Sequence, residues 1–268
     1  MDILQAILLG FVQGITEFIP VSSSGHLELV QQIFSFPTNN FHLFMEFVNL
    51  GTLIALLIFF RHRLWRIIKD VFTNRNYKLA LNIVITSIPA GVAGLILSDF
   101  IENNDFFASL YTVCTAMGII GIIMIVIDYL PHLSPLKNEN HLTPARALGI
   151  GLMQIIALIP GASRSGTTII AGRLVGLDSE SSAEYSFLAS IPIMCGVCLK
   201  MFLSESSRTY FVENLDTLLM SNLVAFVVGM LALKFLLTYL KKPKSLQSFG
   251  RYRIIVASLV IGVMLILA

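Results

Sequence analysis

Two polar stretches interrupt otherwise apolar sequence, and both carry groups suited to holding and transferring a phosphoryl group. The first has a carboxylate at Glu17, then Pro20, the hydroxyls of Ser22, Ser23 and Ser24, Gly25 and His26. The second begins at Pro160 and Gly161 and sets Arg164 among the hydroxyls of Ser163, Ser165, Thr167 and Thr168. Amides at a glycine-bearing break that opens a helix point at an anion, and the helix dipole favours its charge. The planar fork of Arg164 matches a pair of phosphate oxygens, and a permanent cation at membrane depth needs an anionic partner. His26 can move a proton near neutral pH.

Each assignment has a plainer competitor. Glu17 can be a carboxylate snorkelling to an interface, though Pro20 and the serines follow at once. The serine run can be a helix N-cap with an incidental histidine. Arg164 and Glu17 can form a structural ion pair. The number of hydroxyls around Arg164 favours phosphate, with Glu17 pairing to it only when the site is empty. Gln13 lies four residues before Glu17 and shares its helix face. Glu46 and Glu184 stand near the start of the spans that follow the two stretches, as further metal ligands or interfacial carboxylates.

These groups must be positioned by a membrane fold. Of 268 residues, 56% are hydrophobic and 13% charged, with mean hydropathy +0.81. That leaves too little charge to cover a soluble surface of this size. A formal net charge of +2 gives no footing for nucleic acid. A span needs about 20 apolar residues, and six segments read as spans: 41–60, 79–101, 109–130, 183–204, 215–240 and 254–268. The first apolar stretch starts at Ile3 with no basic residue ahead of it, so it is expected in the mature protein.

Residues 3–35 and 145–178 differ from the spans, because each is an apolar run broken by one of the polar motifs. Irregular backbone at membrane depth is tolerated only against protein or a wet cavity, so both are expected to be re-entrant helix–loop–helix hairpins. They resemble each other. At an offset of 141, Ala6, Gly10, Gln13, Ile15, Ser22, Ser24 and Gly25 align with Ala147, Gly151, Gln154, Ile156, Ser163, Ser165 and Gly166. The chain then reads as an all-α polytopic membrane protein in two copies, 1–130 and 145–268, each a hairpin plus three spans. Three spans per copy invert the second relative to the first.

Charge leads to the same topology independently. The loops 61–78, 131–146 and 241–253 hold 13 of the 18 lysines and arginines, whereas 99–108 and 205–214 hold only Arg208. The first of these poor loops is acidic, with Asp99, Glu102 and Asp105. The positive-inside rule makes the three basic loops cytoplasmic and brings the hairpins in from opposite faces to meet near the midplane. Arg173, in the return helix of the second hairpin, is expected to snorkel. His42, His62, His132 and His141 are expected to be solvated. Cys114, Cys195 and Cys198 read as small packing residues, since no polar ligands flank them.

The motifs together resemble the undecaprenyl-pyrophosphate phosphatases of the bacitracin-resistance type. The resemblance rests on Gln13 to His26 and Pro160 to Thr168, with 183–192 and 50–55 as supporting stretches, and it covers essentially the whole chain in order. It implies removal of the terminal phosphate from a C55 polyprenyl diphosphate, with a divalent cation, during carrier recycling for cell-wall synthesis in the bacterial inner membrane, at a site reached from the outer face. It also implies the inverted-repeat fold. Gln13 and Glu17 match the family's acidic signature, Pro160, Gly161, Ser163, Arg164, Ser165 and Thr168 its arginine loop, and Ser23 and His26 its serine and histidine. Two departures bear on the metal: Met45 stands where an acidic residue is frequent, beside Glu46, and position 13 is Gln rather than Glu.

On this reading Glu17, Ser23, His26 and Arg164 are the catalytic candidates. Ser22, Ser24, Gly161, Ser163, Arg164, Ser165 and Thr168 bind phosphate, and Glu17, Gln13 and Glu46 are candidates for holding Mg²⁺ or Ca²⁺. His26 serves as base towards Ser23 or water, or as the nucleophile itself. The expected partners are the polyprenyl diphosphate and membrane lipids, with a homodimer left open. Two competitors stand beside this reading. A histidine-nucleophile lipid phosphatase needs a histidine six residues after the motif arginine, where Ile170 stands. A transporter or flippase of a phosphorylated lipid would use the same repeat architecture.

Overall fold

The computed structural model describes residues 1–37, 40–102, 104–130, 135–136 and 138–267. His132 and Lys137 lie outside these residues, as do the side chains of Asp99 and Glu102. Among the described residues every element is helical: α1 (Ile3–Thr16), α2 (Ser23–Ile33), α3 (Phe41–Phe59), α4 (Arg61–Phe72), α5 (Lys78–Glu102), α6 (Asp105–Ala108), α7 (Leu110–Ile127), α8 (Pro144–Gln154), α9 (Arg164–Leu174), α10 (Ser179–Leu203), α11 (Glu205–Glu213), α12 (Leu215–Leu240) and α13 (Leu246–Leu267). A short 3₁₀ turn, Ile155–Leu158, prolongs α8, and another covers Glu139–His141.

Among the described residues six helices, α3, α5, α7, α10, α12 and α13, are long and apolar enough to cross a membrane. Each overlaps one of the six expected spans. Leu95, Leu199, Leu231 and Leu259 stand out from them largely exposed, which is stable only against hydrocarbon. The two broken stretches form shorter helix pairs, α1–α2 and α8–α9. α1 lies along α12 and α8 along α5; α3 touches α12 and α10, and α7 pairs with α13. The start of α1 is set by Asp2, whose carboxylate accepts from the Gln5 amide while the Gln5 side chain accepts from the Asp2 amide, a reciprocal cap.

The segments between spans depart from the loops expected there. α4 fills most of 61–78, α5 continues to Glu102 and α11 occupies most of 205–214. α13 begins at Leu246 rather than near 254, so Arg253 is not a loop cation. It sits about 10 Å into a helix and is fully buried. Arg173 does not snorkel either. Its side chain is 9% exposed and faces Asp128 at the end of α7 across 4.0 Å. The countercharge offered there removes the reason to reach for solvent.

The basic segments gather at one end of the bundle. Arg63 pairs with the buried Glu139, Lys241 with Glu180 at 3.3 Å, and Lys244 lies over the Tyr129 ring. A polar cavity at that end is lined by Phe60, His62, Arg63, Glu139, Glu180 and Glu184. Glu184 therefore lies among these groups. His42 and His141 are exposed, His141 against Asn138.

Candidate active site

Both polar motifs fold as the break before a helix, and they do so in the same conformation. Ser22 and Ser163 are the N-caps of α2 and α9 and stand at φ 79 and φ 73, a region L-residues seldom occupy. Each hydroxyl accepts from the amide three residues on, Gly25 at 3.4 Å and Gly166 at 3.1 Å. These caps satisfy one amide each. The amides of Ser23, Ser24, Arg164 and Ser165 are left without a partner among the described residues, as the first turn of a helix must leave them. Two positive helix ends thus face one small space.

That space is a cavity of about 240 Å³. Its polar wall is Glu17, Ser22, Ser23, Ser24, Asn49, Ser163, Arg164 and Ser165. Its apolar wall is Ala157 with Ile193, Met194, Val197 and Cys198 of α10. Cys198 therefore lines the cavity, while Cys195 faces outward and Cys114 is buried. Arg164 and Glu17 form an ion pair across the space. The other carboxylate oxygen of Glu17 accepts from Ser23 Oγ at 2.7 Å and from Gln13 Nε2 at 3.1 Å. Gln13 Nε2 also donates to Asn49 Oδ1 at 2.8 Å. Ser163 and Ser165 share a hydroxyl contact at 3.2 Å.

Gln13, His26, Glu46, Gly161 and Thr168 lie beside the cavity rather than on its wall. Thr168 turns its hydroxyl to the Arg164 carbonyl, at 2.7 Å, and to Ser186 of α10. Gly161, at φ +89, sets its carbonyl towards the loops' back side, and a Cβ there would fall on the Val113 carbonyl. His26 has Nδ1 against the Ser22 carbonyl at 2.7 Å and Nε2 against Tyr252 Oη at 2.8 Å. Nδ1 therefore carries the proton and Nε2 accepts from the phenol. Glu46 is half-buried on α3 and does not line the cavity; Asn49, one turn further on, does.

Arg253 escaped the sequence reading, and it holds the site together. Its guanidinium donates to the carbonyls of Pro20 (3.1 Å), Gly161 (2.7 Å), Ala162 (3.0 Å) and Met117 (3.1 Å). One cation thus grips the backbone of both loops from behind. No carboxylate pairs with it among the described residues, so its charge adds to the positive field of the two helix ends. Five donors in a fixed fork are what allow this. The only signal in the sequence was an arginine one residue ahead of the expected start of the last span, and its charge argued for a loop.

A family model described as bacitracin resistance protein BacA matches residues 6–259. The undecaprenyl-diphosphatase of Parvibaculum lavamentivorans is 34% identical over 264 residues, 97% of this chain and 96% of that protein. Undecaprenyl-diphosphatase 1 of Oenococcus oeni is 36% identical over 269 residues, covering 97% and 96%. The undecaprenyl-diphosphatase of Wolinella succinogenes is 36% identical over 258 residues, covering 95% of each.

Proposed function

The chain belongs to the bacitracin resistance protein BacA family, and from that membership we propose that it is a membrane phosphatase acting on undecaprenyl diphosphate. It cleaves the terminal phosphate, leaves the monophosphate, and so recycles the lipid carrier for cell-wall synthesis. The observation that carries the chemistry is the meeting of Glu17, Ser23 and Arg164 at two helix N-termini, beside an apolar wall. The diphosphate lies on the polar side and the prenyl chain leaves along α10.

Arg164, Ser163, Ser165 and the free amides of both helices bind the diphosphate and stabilise charge on the transferring phosphoryl group. Substrate draws Arg164 from Glu17 to itself, which frees the carboxylate. Ser23 Oγ then attacks the terminal phosphorus, its proton passing to Glu17, while the bond to the bridging oxygen breaks and the prenyl monophosphate departs. Water attacks the phosphoserine, releases inorganic phosphate and restores the serine. His26 acts through the Ser22 carbonyl, holding the loop in place. Trapping of a phosphate on Ser23 tests the covalent step against direct attack by water.

Glu17 and Gln13, with Asn49 alongside, offer carboxylate and amide oxygens next to the substrate's phosphates, a donor set that suits a hard divalent cation bound partly by the substrate. Mg²⁺ or Ca²⁺ held there would neutralise phosphate charge. Glu46 is set back from this position.

We also infer that α1–α2 and α8–α9 are re-entrant hairpins of an inverted repeat, 1–130 and 145–268. The matched left-handed caps at Ser22 and Ser163, 141 residues apart, support it. So does the exchanged pairing, in which each copy's hairpin packs on the other copy's middle span. Gly10 and Gly151, aligned in the repeat, make those crossings: each meets backbone, of Ser221 on α12 and of Thr86 on α5. With the basic end cytoplasmic, the site opens towards the outer face of the inner membrane. Inorganic phosphate release by purified protein in detergent, which needs no gradient, tests the enzyme against a lipid transporter. Release that survives loss of Arg164 sinks the assignment.

A further inference from the structure

α4 leaves the end of the first span at Phe60 and contributes no fully buried residue. Its side chains divide into three strips. Leu64 and Ile67 pack on the protein core. Trp65, Ile68 and Phe72, spaced three and four apart, form a second apolar strip turned away from the protein and are 68%, 47% and 81% exposed. Between that strip and solvent run His62, Arg66 and Lys69, all exposed. Neither Arg66 nor Lys69 pairs with a carboxylate among the described residues, and Asp70, one turn beyond Arg66, accepts from Asn74 instead.

A helix needs one apolar face to pack on its own protein. A second apolar strip, bordered by unpaired cations at the foot of two spans, suits the boundary between acyl chains and headgroups. The cations meet the headgroup phosphates, and an anionic headgroup is favoured over a zwitterionic one by about fivefold for each basic side chain. Arg63 and Glu139, Lys241 and Glu180 gather at this same end, so α4 lies in the leaflet on the basic side. We propose that α4 is an interfacial helix that binds anionic phospholipid, with Trp65, Ile68 and Phe72 in the acyl boundary and Arg66 and Lys69 on the lipid phosphate. The occupant is the bilayer surface, and the assignment is independent of the reaction at Glu17 and Arg164.

Trp65 is the only tryptophan in the chain, so its fluorescence reports on α4 alone. The full-length protein is reconstituted in phosphatidylcholine–phosphatidylglycerol vesicles in which either lipid carries brominated chains at equal mole fraction. Brominated phosphatidylglycerol is expected to quench Trp65 at least twice as strongly as brominated phosphatidylcholine. Arg66→Gln with Lys69→Gln removes the preference and keeps the quenching. About 0.5 M salt weakens the preference in the unaltered protein. Equal quenching by both lipids in the unaltered protein overturns anionic selection. Blue-shifted emission with no quenching, the mark of a second copy or another protein over the strip, overturns the lipid contact, as does red-shifted emission from water.

Discussion

Glu17 and Arg164 stand 147 positions apart and meet as an ion pair, one from the end of α1 and one from the first turn of α9. The same carboxylate accepts from Ser23, so a single side chain joins the cation proposed to bind phosphate to the hydroxyl proposed to attack it. The pair belongs to the resting site, because the phosphate that Arg164 is suited to bind competes directly with Glu17 for its fork.

Replacing Arg164 separates charge from geometry. Arg164→Ala is expected to lower kcat for phosphate release by at least about 10³-fold, in the range for an arginine that stabilises phosphoryl transfer. Arg164→Lys keeps the charge and loses the fork, so it should recover little. Thermal unfolding in detergent should show both variants folded. A lysine variant near full rate would assign Arg164 to charge alone.

Ser23→Ala is expected to abolish turnover and phosphate trapping while leaving binding of the monophosphate product in place. His26→Ala should reduce kcat less, since the histidine lies beside the cavity on Ser22 and Tyr252. If His26→Ala were the more damaging and Ser23→Ala still turned over, the histidine would be the nucleophile.

The two left-handed caps should respond alike. At Ser22 and at Ser163, glycine accepts φ near +75 and as a cap costs only a few tenths of a kcal/mol. Alanine loses the cap, about 1 kcal/mol, and keeps the backbone strain. At both positions the melting temperature should fall in the order serine, glycine, alanine. Alanine equal to glycine at either site would contradict the conformation.

Arg253→Met should destabilise the fold by about 3 kcal/mol or more, because it leaves four buried carbonyls unpaired at about 1–3 kcal/mol each. Arg253→Lys should restore only part, having no fork to reach Pro20 and Gly161 together. The measurement is thermal or denaturant unfolding, read alongside phosphate release. Loss of activity at unchanged stability would mean that the charge, not the clamp, is what matters.

Chelation is expected to cut phosphate release at least tenfold, and Mg²⁺ or Ca²⁺ to restore it, because the cavity offers oxygen donors. A rate indifferent to chelator would remove the cation from the reaction and leave Arg164 and the helix ends as its electrostatic source.

Much of this protein was legible along the chain. The six spans follow from the length of apolar runs, and the positions of the two breaks from Pro20, Gly25, Pro160 and Gly166, because hydrophobicity and backbone stereochemistry are local properties. The offset of 141 could be read for the same reason: aligned residues meet the same local demand, down to the left-handed serine at each break.

What a buried cation touches is not a local property. By residue type Arg173 and Arg253 were surface charges; the tertiary structure sets Arg173 against Asp128 and closes Arg253 on the carbonyls of both loops. α4 was a basic loop by composition, and only the fold shows that one apolar strip faces the protein and another faces away. Sequence determined that Glu17 and Arg164 needed opposite partners in an apolar setting. Tertiary structure decided that they are partners of each other and of Ser23, because only the approach of the two broken segments brings within a few ångströms groups that charge alone could pair in several ways.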